Sequence, residues 1–420
     1  MSAAKGRRIC LVSPGNLAAN PRLIKEADAL QGAGYAVTAV VSDFSIGLRG
    51  FDDEIVSRAA WTVVHAPRLP SERYVRAVSR TAARAIDAIG VSVPVPIAVR
   101  AYGGPAGSLQ DAACAVPADL YIAHYVTALP AAGAAARRHG AILGFDAEDF
   151  HSGEGGAGEA EARRMKQVRV VEGAWLPRCQ HLTAAAPLIG EAYASLYGIA
   201  TPATVLNVFP LDMAPRQPVA PRQPGAPLRA YWFSQTVGLD RGLQPFLQAM
   251  AAAKTRVELE IRGDDSWGHG ETLKALARDL GIADRFRVLP LAAPEEMVRL
   301  AAHYDLGLSL ETDVSENRRL CLTNKLFTYL LAGIPMLMSD TPGQCAMAPE
   351  LGVAAVVISL ADPPGIAAAL DRLAGNLDAA RAEALRLGRE RYNWEVEQHV
   401  FLESVAAAFE RRERGASWRH

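Results

Sequence analysis

Residues 322–340 combine a cationic helix start, an apolar helix body and a short apolar run behind it. Thr323 is a suitable N-cap residue, and Gly333 stands where a helix commonly ends. Lys325 falls in the first turn, beside backbone N–H groups that lack helical partners and at the positive end of the helix dipole. That arrangement favours binding of an anion, above all a phosphate. Pro335 opens a run typical of a strand, so the whole pattern predicts a loop that handles a nucleotide.

Length and composition predict an ordinary soluble globular protein with room for two domains. The chain has 420 residues, of which 50% are hydrophobic and 21% charged, and its formal net charge is −1. The near-neutral balance argues against nucleic acid as a partner, because general binding to nucleic acid needs a strong basic excess. Five scattered cysteines without a CxxC pair predict neither a zinc site nor a disulfide framework, so we expect a reducing cytoplasm. No apolar run reaches the ~20 residues of a membrane span, and residues 1–8 lack the apolar region of a signal peptide.

Apolar runs of strand length alternate with helical patterns in two rounds. The runs are continuous rather than alternating, which is typical of parallel sheets covered on both faces. The predicted strands are 8–13, 35–42, 61–65, 120–124, 142–146, 181–183, 203–207, 228–234, 257–262, 285–289, 305–310, 335–340 and 353–358. The predicted helices include 21–32, 241–252, 270–280, 294–303, 324–332 and 394–412.

This order of elements predicts an α/β protein with two doubly wound Rossmann-like domains that face each other across a cleft. Residues 211–227 contain five prolines and few large apolar residues, so we expect a linker there. The expected domains are therefore 1–210 and 228–392.

Motifs along nearly the whole chain resemble the two-domain GT-B glycosyltransferases, specifically the retaining group 1 or family 4 type. They are SPGNLAANPRLIKEADALQGAGYAVTAVVSD, DLYIAH, GFDAEDFHSGE, VLNVFP, FSQTVGLDRGL, IRGDD, ADRFRVLPLAAPEEMVRLAAHYDLGLSL, NKLFTYLLAGIPML and YNWE. The resemblance implies a GT-B fold in which residues 393–420 form a helix that crosses back to the first domain. It implies an enzyme whose second domain binds a nucleotide-diphosphate sugar and whose first domain binds a glycan or glycolipid acceptor. No metal or other cofactor is implied, and the expected role is assembly of a surface polysaccharide or lipopolysaccharide in the cytoplasm.

Two cations are candidates to neutralise a diphosphate leaving group, whose negative charge grows as the glycosidic bond breaks. Lys325 is one, and Arg241, where a loop after a strand enters a helix, is the other. The family usually has lysine at the second position, and arginine keeps the charge while adding a fork that fits phosphate oxygens. The alternative is that both side chains are solvated surface charges.

The sequence departs from the family's pattern at three donor-site positions. Gln235 stands where an arginine is usual, and glutamine cannot neutralise charge. Thr328 stands where a glutamate, one turn after Asn324, would accept hydrogen bonds from both ribose hydroxyls. A further glutamate is expected near Leu320, where the chain has no acid. These departures leave open a degenerate GT-B protein that binds without turnover, and a sugar-nucleotide epimerase of the same fold is a third interpretation.

Glu316 offers a replacement for the missing acid, because it lies in the charged loop SENRR. We hypothesise that Glu316 reaches into the donor site, with Arg318 or Arg319 as further phosphate ligands. A solvated charged loop is the alternative. The resemblance also places Asn324 and Arg262, of the motif IRGDD, in the donor site.

Polar residues that follow strands of the first half are candidates for catalysis and for close approach of a ligand. His124 ends the run DLYIAH, and in the family a histidine at this strand end lies close to the transferred sugar; a core histidine is the alternative. Glu148 and His151 are candidates to bind acceptor hydroxyls or to act as a base. The spacing of these three matches no metal motif, so no metal is predicted. Gly15 and Asn16 are predicted to let the acceptor or the donor pyrophosphate approach the backbone, whereas the alternative is a plain turn.

A basic helical segment at 71–89 carries Arg73, Arg76, Arg80 and Arg84 at three- and four-residue intervals, opposite an apolar face. Peripheral attachment to an anionic membrane surface is one interpretation. An ordinary helix with its arginines in water is the other.

Overall fold

The computed structural model describes residues 6–42, 45–156, 158–215, 223 and 225–417. The chain divides into two compact units, of which the first comprises Met1–Val205 with Gln398–His420 and the second Leu206–Glu397. No helix among the described residues is both long and apolar enough to cross a bilayer.

The first unit is built on a parallel sheet whose described strands follow the order β3-β2-β1-β4-β5-β6-β7. The apolar central strands are buried on both of their faces, as the continuous hydrophobic runs predicted. The strands are β1 (Arg8–Val12), β2 (Ala36–Ser42), β3 (Thr62–Ala66), β4 (Leu120–His124), β5 (Ile142–Ala147), β6 (His181–Ala184) and β7 (Ala203–Thr204). The helices are α1 (Pro21–Gly32), α2 (Arg49–Arg58), α3 (Pro70–Ala88), α4 (Val95–Tyr102), α5 (Ala106–Ala115), α6 (Ala128–His139), α7 (Glu159–Trp175) and α8 (Pro187–Tyr197).

The second unit repeats this architecture with a parallel sheet whose described strands follow the order β10-β9-β8-β11-β12-β13. The strands are β8 (Leu228–Thr236), β9 (Val257–Asp264), β10 (Phe286–Leu289), β11 (Leu306–Ser309), β12 (Met336–Ser339) and β13 (Ala355–Ile358). The helices are α9 (Leu243–Ala252), α10 (His269–Asp279), α11 (Met297–Ala301), α12 (Glu316–Leu320), α13 (Asn324–Ala332), α14 (Pro342–Leu351), α15 (Pro363–Gly375), α16 (Leu377–Glu390) and α17 (Trp394–Ser417).

Both sheets have the strand order of a doubly wound Rossmann-like fold, which confirms the predicted fold class. Each predicted strand overlaps an observed one, and the helix predicted at 21–32 agrees with α1 at both ends. The helix predicted at 241–252 begins later, at Leu243, because Gly242 adopts φ +69° at its start. The helix predicted at 294–303 is shorter, because a 3-10 turn, Pro294–Glu296, leads into α11.

The long helix α17 belongs to the first unit from Gln398 onward, in agreement with the predicted crossing helix. There its side chains contact residues of the first unit through a polar contact and an aromatic contact. Ser404 Oγ lies 3.1 Å from His181 Nδ1, and the ring of Phe409 stacks on that of Tyr35 with centroids 6.1 Å apart. These contacts fix the part of α17 that carries Ser404 and Phe409 on the first unit.

The first boundary between the units lies at Val205, a few residues before the predicted position at 210. Part of the predicted linker is described, and its residues Leu211–Met213 form a 3-10 turn. Most of the remainder, 216–222 and 224, lies outside the described residues.

Candidate functional site

The carboxyl edge of the second sheet brings two loops together where the strand order reverses, between β8 and β11. In open α/β sheets this reversal opens the crevice in which ligands bind. Thr312 Oγ1, after β11, donates a hydrogen bond to Asp240 O, after β8, over 2.8 Å. Gly242 packs so closely on the other loop that an added Cβ would lie 3.2 Å from Leu310 Cβ. The two loops therefore form one surface.

Glu311 is the centre of a charged cluster on this surface. Its carboxylate is 2% exposed, and Lys325 Nζ lies 2.7 Å from Oε1 while Arg318 donates to Oε2. Burial alone would raise the pKa of Glu311, but the charges of Lys325 and Arg318 outweigh it and lower that pKa. Two cations around one carboxylate leave a net positive charge, which suits an anionic ligand.

Glu311 was not among the residues predicted from the sequence, where Glu316 was the candidate acid. Glu316 is about half exposed in the first turn of α12, where it pairs with Arg319 over 2.9 Å. Arg318, from the same helix, turns to Glu311. The signal that could have found Glu311 is its position just after an apolar strand, the same signal that singled out His124.

The start of α13 agrees with the predicted helix and with the predicted N-cap position. Thr323 occupies the N-cap position, yet its side chain makes no capping hydrogen bond, and Oγ1 is buried without a hydrogen-bond partner. Gly333 ends the helix with φ +73°, as expected. Lys325 lies in the first turn, with Nζ 6.0 Å from the centre of the Trp232 ring. The helix start therefore places an unbonded hydroxyl and the Glu311-paired ammonium of Lys325 beside the first backbone N–H groups of α13.

Arg241 lies on the other loop of the same edge, with its side chain 18% exposed. Its Nε is 3.6 Å from Asp240 Oδ1 and has no hydrogen-bond partner. Asp240 O accepts a hydrogen bond from Thr312, and the adjacent residue, Glu311, pairs with Lys325 at the start of α13. These contacts connect the loop that carries Arg241 to the helix start that carries Lys325. The predicted pair of cations therefore occupies one edge of the second sheet.

The other predicted donor-site residues are placed differently. Thr328 has no exposed surface, and its hydroxyl donates to Asn324 O over 2.9 Å, so this hydroxyl is used inside α13. Asn324 and Gln235 are exposed. Arg262 donates from Nε to Tyr231 OH over 3.0 Å and from Nη1 to the carbonyl oxygen of Pro290 over 2.7 Å.

In the first unit, a buried ion network lies at the carboxyl ends of β4 and β5. The Arg22 guanidinium donates two hydrogen bonds, of 2.7 and 2.8 Å, to the carboxylate of Asp146. His124 Nε2 lies 3.3 Å from Glu26 Oε2, and its Nδ1 lies 3.6 Å from Asp146. Burial alone would lower the pKa of His124, but the two carboxylates outweigh burial and raise it. All four side chains are at most 2% exposed, so their charges have to balance one another.

Donor atoms of Glu26, His124 and Asp146 lie within 4.8 Å of one another, close enough for a metal ligand set. Both oxygens of Asp146 are already engaged by the Arg22 guanidinium, and Thr183 Oγ1 donates to one of them over 2.6 Å. A cation within the set favours an ion-pair network over a divalent metal site.

Glu148 and Lys25 are half-buried groups that interact electrostatically beside this network. Burial, together with the charge of Asp149, raises the pKa of Glu148 to about 7. Burial, together with the charge of Arg22, lowers the pKa of Lys25 to about 7. A carboxyl group that titrates near neutral pH suits general base catalysis.

His151 is buried in a 3-10 turn after β5, with Nδ1 2.7 Å from Glu154 Oε1. Burial alone would lower the pKa of His151, but Glu154 outweighs it and raises the pKa to about 9. Its Nε2 is buried without a hydrogen-bond partner. The Tyr125 ring lies 6.0 Å away, and Tyr125 is the non-glycine residue with positive φ (68°) among the described residues. A positive φ costs free energy in a residue that has a Cβ atom. Tyr125, which directly follows His124, adopts this conformation, and its ring contacts His151.

Asn16 organises a loop and leaves little of its side chain for a ligand. Its Nδ2 donates to Asp52 over 2.8 Å, and its Oδ1 accepts from Ser45 N over 2.7 Å. Gly15 precedes it, and an added Cβ there would meet nothing within 4 Å. The space beside Gly15 is therefore open, and the approach of a ligand there stays a prediction.

Solved structures match nearly the whole chain. Anabaena HepE (Alr3699) in complex with UDP aligns with a TM-score of 0.65 and 13% identity, covering 96% of this chain and 100% of HepE. The lipopolysaccharide outer core galactosyltransferase WaaB aligns with a TM-score of 0.63 and 12% identity, covering 95% of this chain and 99% of WaaB. The fold is the GT-B fold.

The GT-B fold does not by itself fix an activity. A putative UDP-N-acetylglucosamine 2-epimerase from Listeria monocytogenes also aligns, with a TM-score of 0.51 and 12% identity over 97% of both chains. No family model matches this GT-B chain, and no curated protein matches its sequence. Its chemistry has to be inferred from the two clusters of side chains.

Proposed function

We propose that this GT-B protein is a glycosyltransferase that moves a sugar from a nucleotide-diphosphate sugar to a glycan or glycolipid acceptor. The observation that carries the proposal is the location of Arg241 and Lys325 at the strand-order reversal of the second sheet, where contacts through Thr312 and Glu311 connect the Arg241 loop to the start of α13. Solved structures of the similar protein HepE hold UDP and UDP-glucose, which supports a nucleotide-sugar donor.

In the proposed reaction the second unit stabilises the departing diphosphate. Arg241 and Lys325 offset the charge that grows on the leaving phosphate, and Thr323 Oγ1 and the first backbone N–H groups of α13 donate hydrogen bonds to it. Glu311 keeps Lys325 and Arg318 in place before the donor arrives. In this proposal fixed cations do the work that a metal ion would do elsewhere, so no cofactor is required.

The first unit supplies the acceptor side. Glu148 takes up the proton of the acceptor hydroxyl, and His151 donates from Nε2 to an acceptor oxygen. His124 is held by two carboxylates and orients Tyr125, the next residue. We assign no nucleophile, and transfer with retention of configuration is the expected outcome.

The decisive experiment mixes the protein with a nucleotide sugar and an acceptor and measures release of free nucleoside diphosphate. Thermal shift with a panel of nucleoside diphosphates comes first, since a ligand at a hundred times its Kd should stabilise the fold by about 2.7 kcal/mol. Release that depends on acceptor supports the proposal. A protein that no nucleoside diphosphate or nucleotide sugar stabilises would contradict it.

A degenerate GT-B protein that binds without turnover is the second candidate. The buried Thr328 and the exposed Gln235 favour it, because neither replaces the acid or the cation usual in the family. Binding of UDP without release of product from any donor would identify it. A sugar-nucleotide epimerase, the third candidate, would change the sugar's configuration without releasing nucleoside diphosphate.

We further propose that the protein works in the cytoplasm, at an anionic membrane surface, in assembly of a surface polysaccharide or lipopolysaccharide. The helix predicted at 71–89 is present as α3, and Tyr74 and Val78 on it are 73% and 51% exposed. Arg73 and Arg84 on the same helix are exposed as well, a combination that suits an interfacial helix. Flotation with anionic but not with neutral liposomes supports this, and equal flotation with both contradicts it.

A further inference from the structure

Trp267 is the most exposed large hydrophobic side chain among the described residues, at 77%. It lies on the turn that follows β9, at the same edge of the second sheet as Arg241 and Glu311. Tryptophan is usually buried over much of its surface, because its large ring system gains most from leaving water. An indole that is exposed at the sheet edge where such folds bind ligands is therefore a candidate to contact a bound ligand.

The turn that carries Trp267 is tightly held. Gly270 N donates to Asp265 Oδ1 over 2.8 Å, and Gly268 N donates to Asp265 O over 2.9 Å. Gly268 has φ +73°, a conformation that glycine adopts without strain. His269 Nδ1 lies 3.1 Å from Val237 O, so the turn is tied to the loop that carries Arg241. The backbone of the turn that carries the indole is therefore held in place by hydrogen bonds.

Asp264, the last residue of β9, stands beside it. Val237 N donates to Asp264 O over 2.9 Å, which fixes the end of β9 next to the start of the Arg241 loop. Ser266 Oγ donates to Asp264 Oδ1 over 2.6 Å. A carboxylate offers about four acceptor positions on its two oxygens, so this bond leaves capacity for further hydroxyl groups.

The position of Asp264 has a known use in sheets of this topology. β9 neighbours β8 on the side away from β11, so it is the second strand of the 3-2-1-4-5-6 order. In dinucleotide-binding sheets an acidic residue about 20 residues beyond the first loop accepts a hydrogen bond from the ribose. Asp264 lies 22 positions after Gly242 in the sequence. Helix α13 carries no acid that could do this instead, because Thr328 is buried and its hydroxyl is bonded within the helix.

We propose that Trp267 and Asp264 form the nucleoside half of the donor site, with the indole stacked on the nucleobase and the carboxylate accepting a ribose hydroxyl. This rests on the proposed function, because it places the diphosphate on Arg241 and Lys325. Stacking on an aromatic ring tolerates every base, since each base has a π face. The site therefore recognises the aromatic ring of the base and a hydroxyl of the ribose, and it discriminates weakly between different bases.

The test compares binding of UDP, GDP, 2′,3′-dideoxy-UDP and inorganic pyrophosphate by isothermal titration. Trp267→Ala should weaken UDP and GDP about tenfold or more and leave pyrophosphate unchanged, because base stacking alone is lost. Trp267→Phe keeps an aromatic face and should retain most of the affinity. Asp264→Asn should weaken UDP and reduce the difference between UDP and the dideoxy analogue. Phe51→Ala removes an exposed aromatic side chain from the first unit and serves as the matched control.

Tryptophan fluorescence gives a second readout. The chain has six tryptophans, so the signal of Trp267 is the difference between wild type and Trp267→Phe. UDP should quench that difference, whereas pyrophosphate should not. Unchanged UDP affinity in Trp267→Ala, or an equal loss for pyrophosphate, would overturn the inference while leaving the proposed function intact. A wild-type protein that binds pyrophosphate but no nucleotide would overturn both.

Discussion

Lys325 Nζ lies 2.7 Å from Glu311 Oε1, and both side chains are nearly excluded from solvent. The helix start that the sequence singles out therefore carries a lysine that is already paired. An anion that binds there meets a preformed cluster in which Arg318 adds the second positive charge. Such a cluster is preorganised, since its charges need no rearrangement when a phosphate arrives.

Glu311→Gln should reduce the free energy of unfolding by on the order of 3 kcal/mol, because it leaves two cations without their buried counter-charge. Glu316→Gln is the matched control, since Glu316 pairs with Arg319 in a half-exposed turn of the same segment and should change stability by less than about 1 kcal/mol. Urea unfolding monitored by circular dichroism measures both. Equal effects of the two substitutions would contradict the central place of Glu311.

Arg241→Gln should weaken UDP binding by about tenfold or more with little change in stability. A hydrogen bond to a charged group contributes roughly 1.5–3 kcal/mol, and Arg241 Nε has no hydrogen-bond partner to lose in the protein. Arg319→Gln, on α12, controls for removal of a nearby cation that pairs outward with Glu316. Isothermal titration at two salt concentrations should show a smaller salt dependence for Arg241→Gln. Wild-type affinity in this variant would remove Arg241 from the site.

Thr328→Glu introduces the acid that the resemblance to family 4 glycosyltransferases predicts at this position, and it should nevertheless fail to strengthen UDP binding. Thr328 has no exposed surface, so a glutamate there buries an unpaired charge and should cost several kcal/mol of stability. Thr328→Val keeps the volume and loses only the hydrogen bond to Asn324 O, worth about 1 kcal/mol. A Thr328→Glu variant that folds normally and binds UDP more tightly would return the ribose to α13 and contradict the role of Asp264.

The fold was predictable from the sequence because each central strand is a continuous apolar run, and burial on both faces requires that pattern. The placement of Arg241 and Lys325 at one sheet edge was predictable as well, since both stand where a segment after a strand enters a helix. The buried ion pairs were not predictable from the sequence. Arg22 and Asp146 form a bidentate pair across 124 positions of sequence, and no local pattern connects them.

The same limit explains Glu311. It faces Lys325 only because β11 and α13 end and begin at one sheet edge, which is a tertiary relationship. Thr328 is buried because it lies on a face of α13 that packs against the protein. The sequence of the helix start did not show which face that would be.

Glu148 should make both stability and rate depend on pH. Its pKa in the folded protein is about 7, above the ordinary 4.5, so the folded state holds the proton more tightly than the unfolded state. The stabilisation is complete below about pH 4.5 and is lost as pH rises through about 7. The unfolding free energy of wild type minus that of Glu148→Gln should therefore fall by about 2 kcal/mol between pH 5 and 7.

The rate should change in the opposite direction, because a base acts only when it is deprotonated. We expect kcat/KM to rise with pH through about 7 in the wild type and to be low and flat in Glu148→Gln. Glu159→Gln, at an exposed position in the first turn of α7, controls for the exchange of a carboxylate for an amide. Urea unfolding at pH 5, 6 and 7 and initial rates over the same range measure both effects. A pH–rate profile that Glu148→Gln leaves unchanged would exclude Glu148 as the base, even if the stability difference were found.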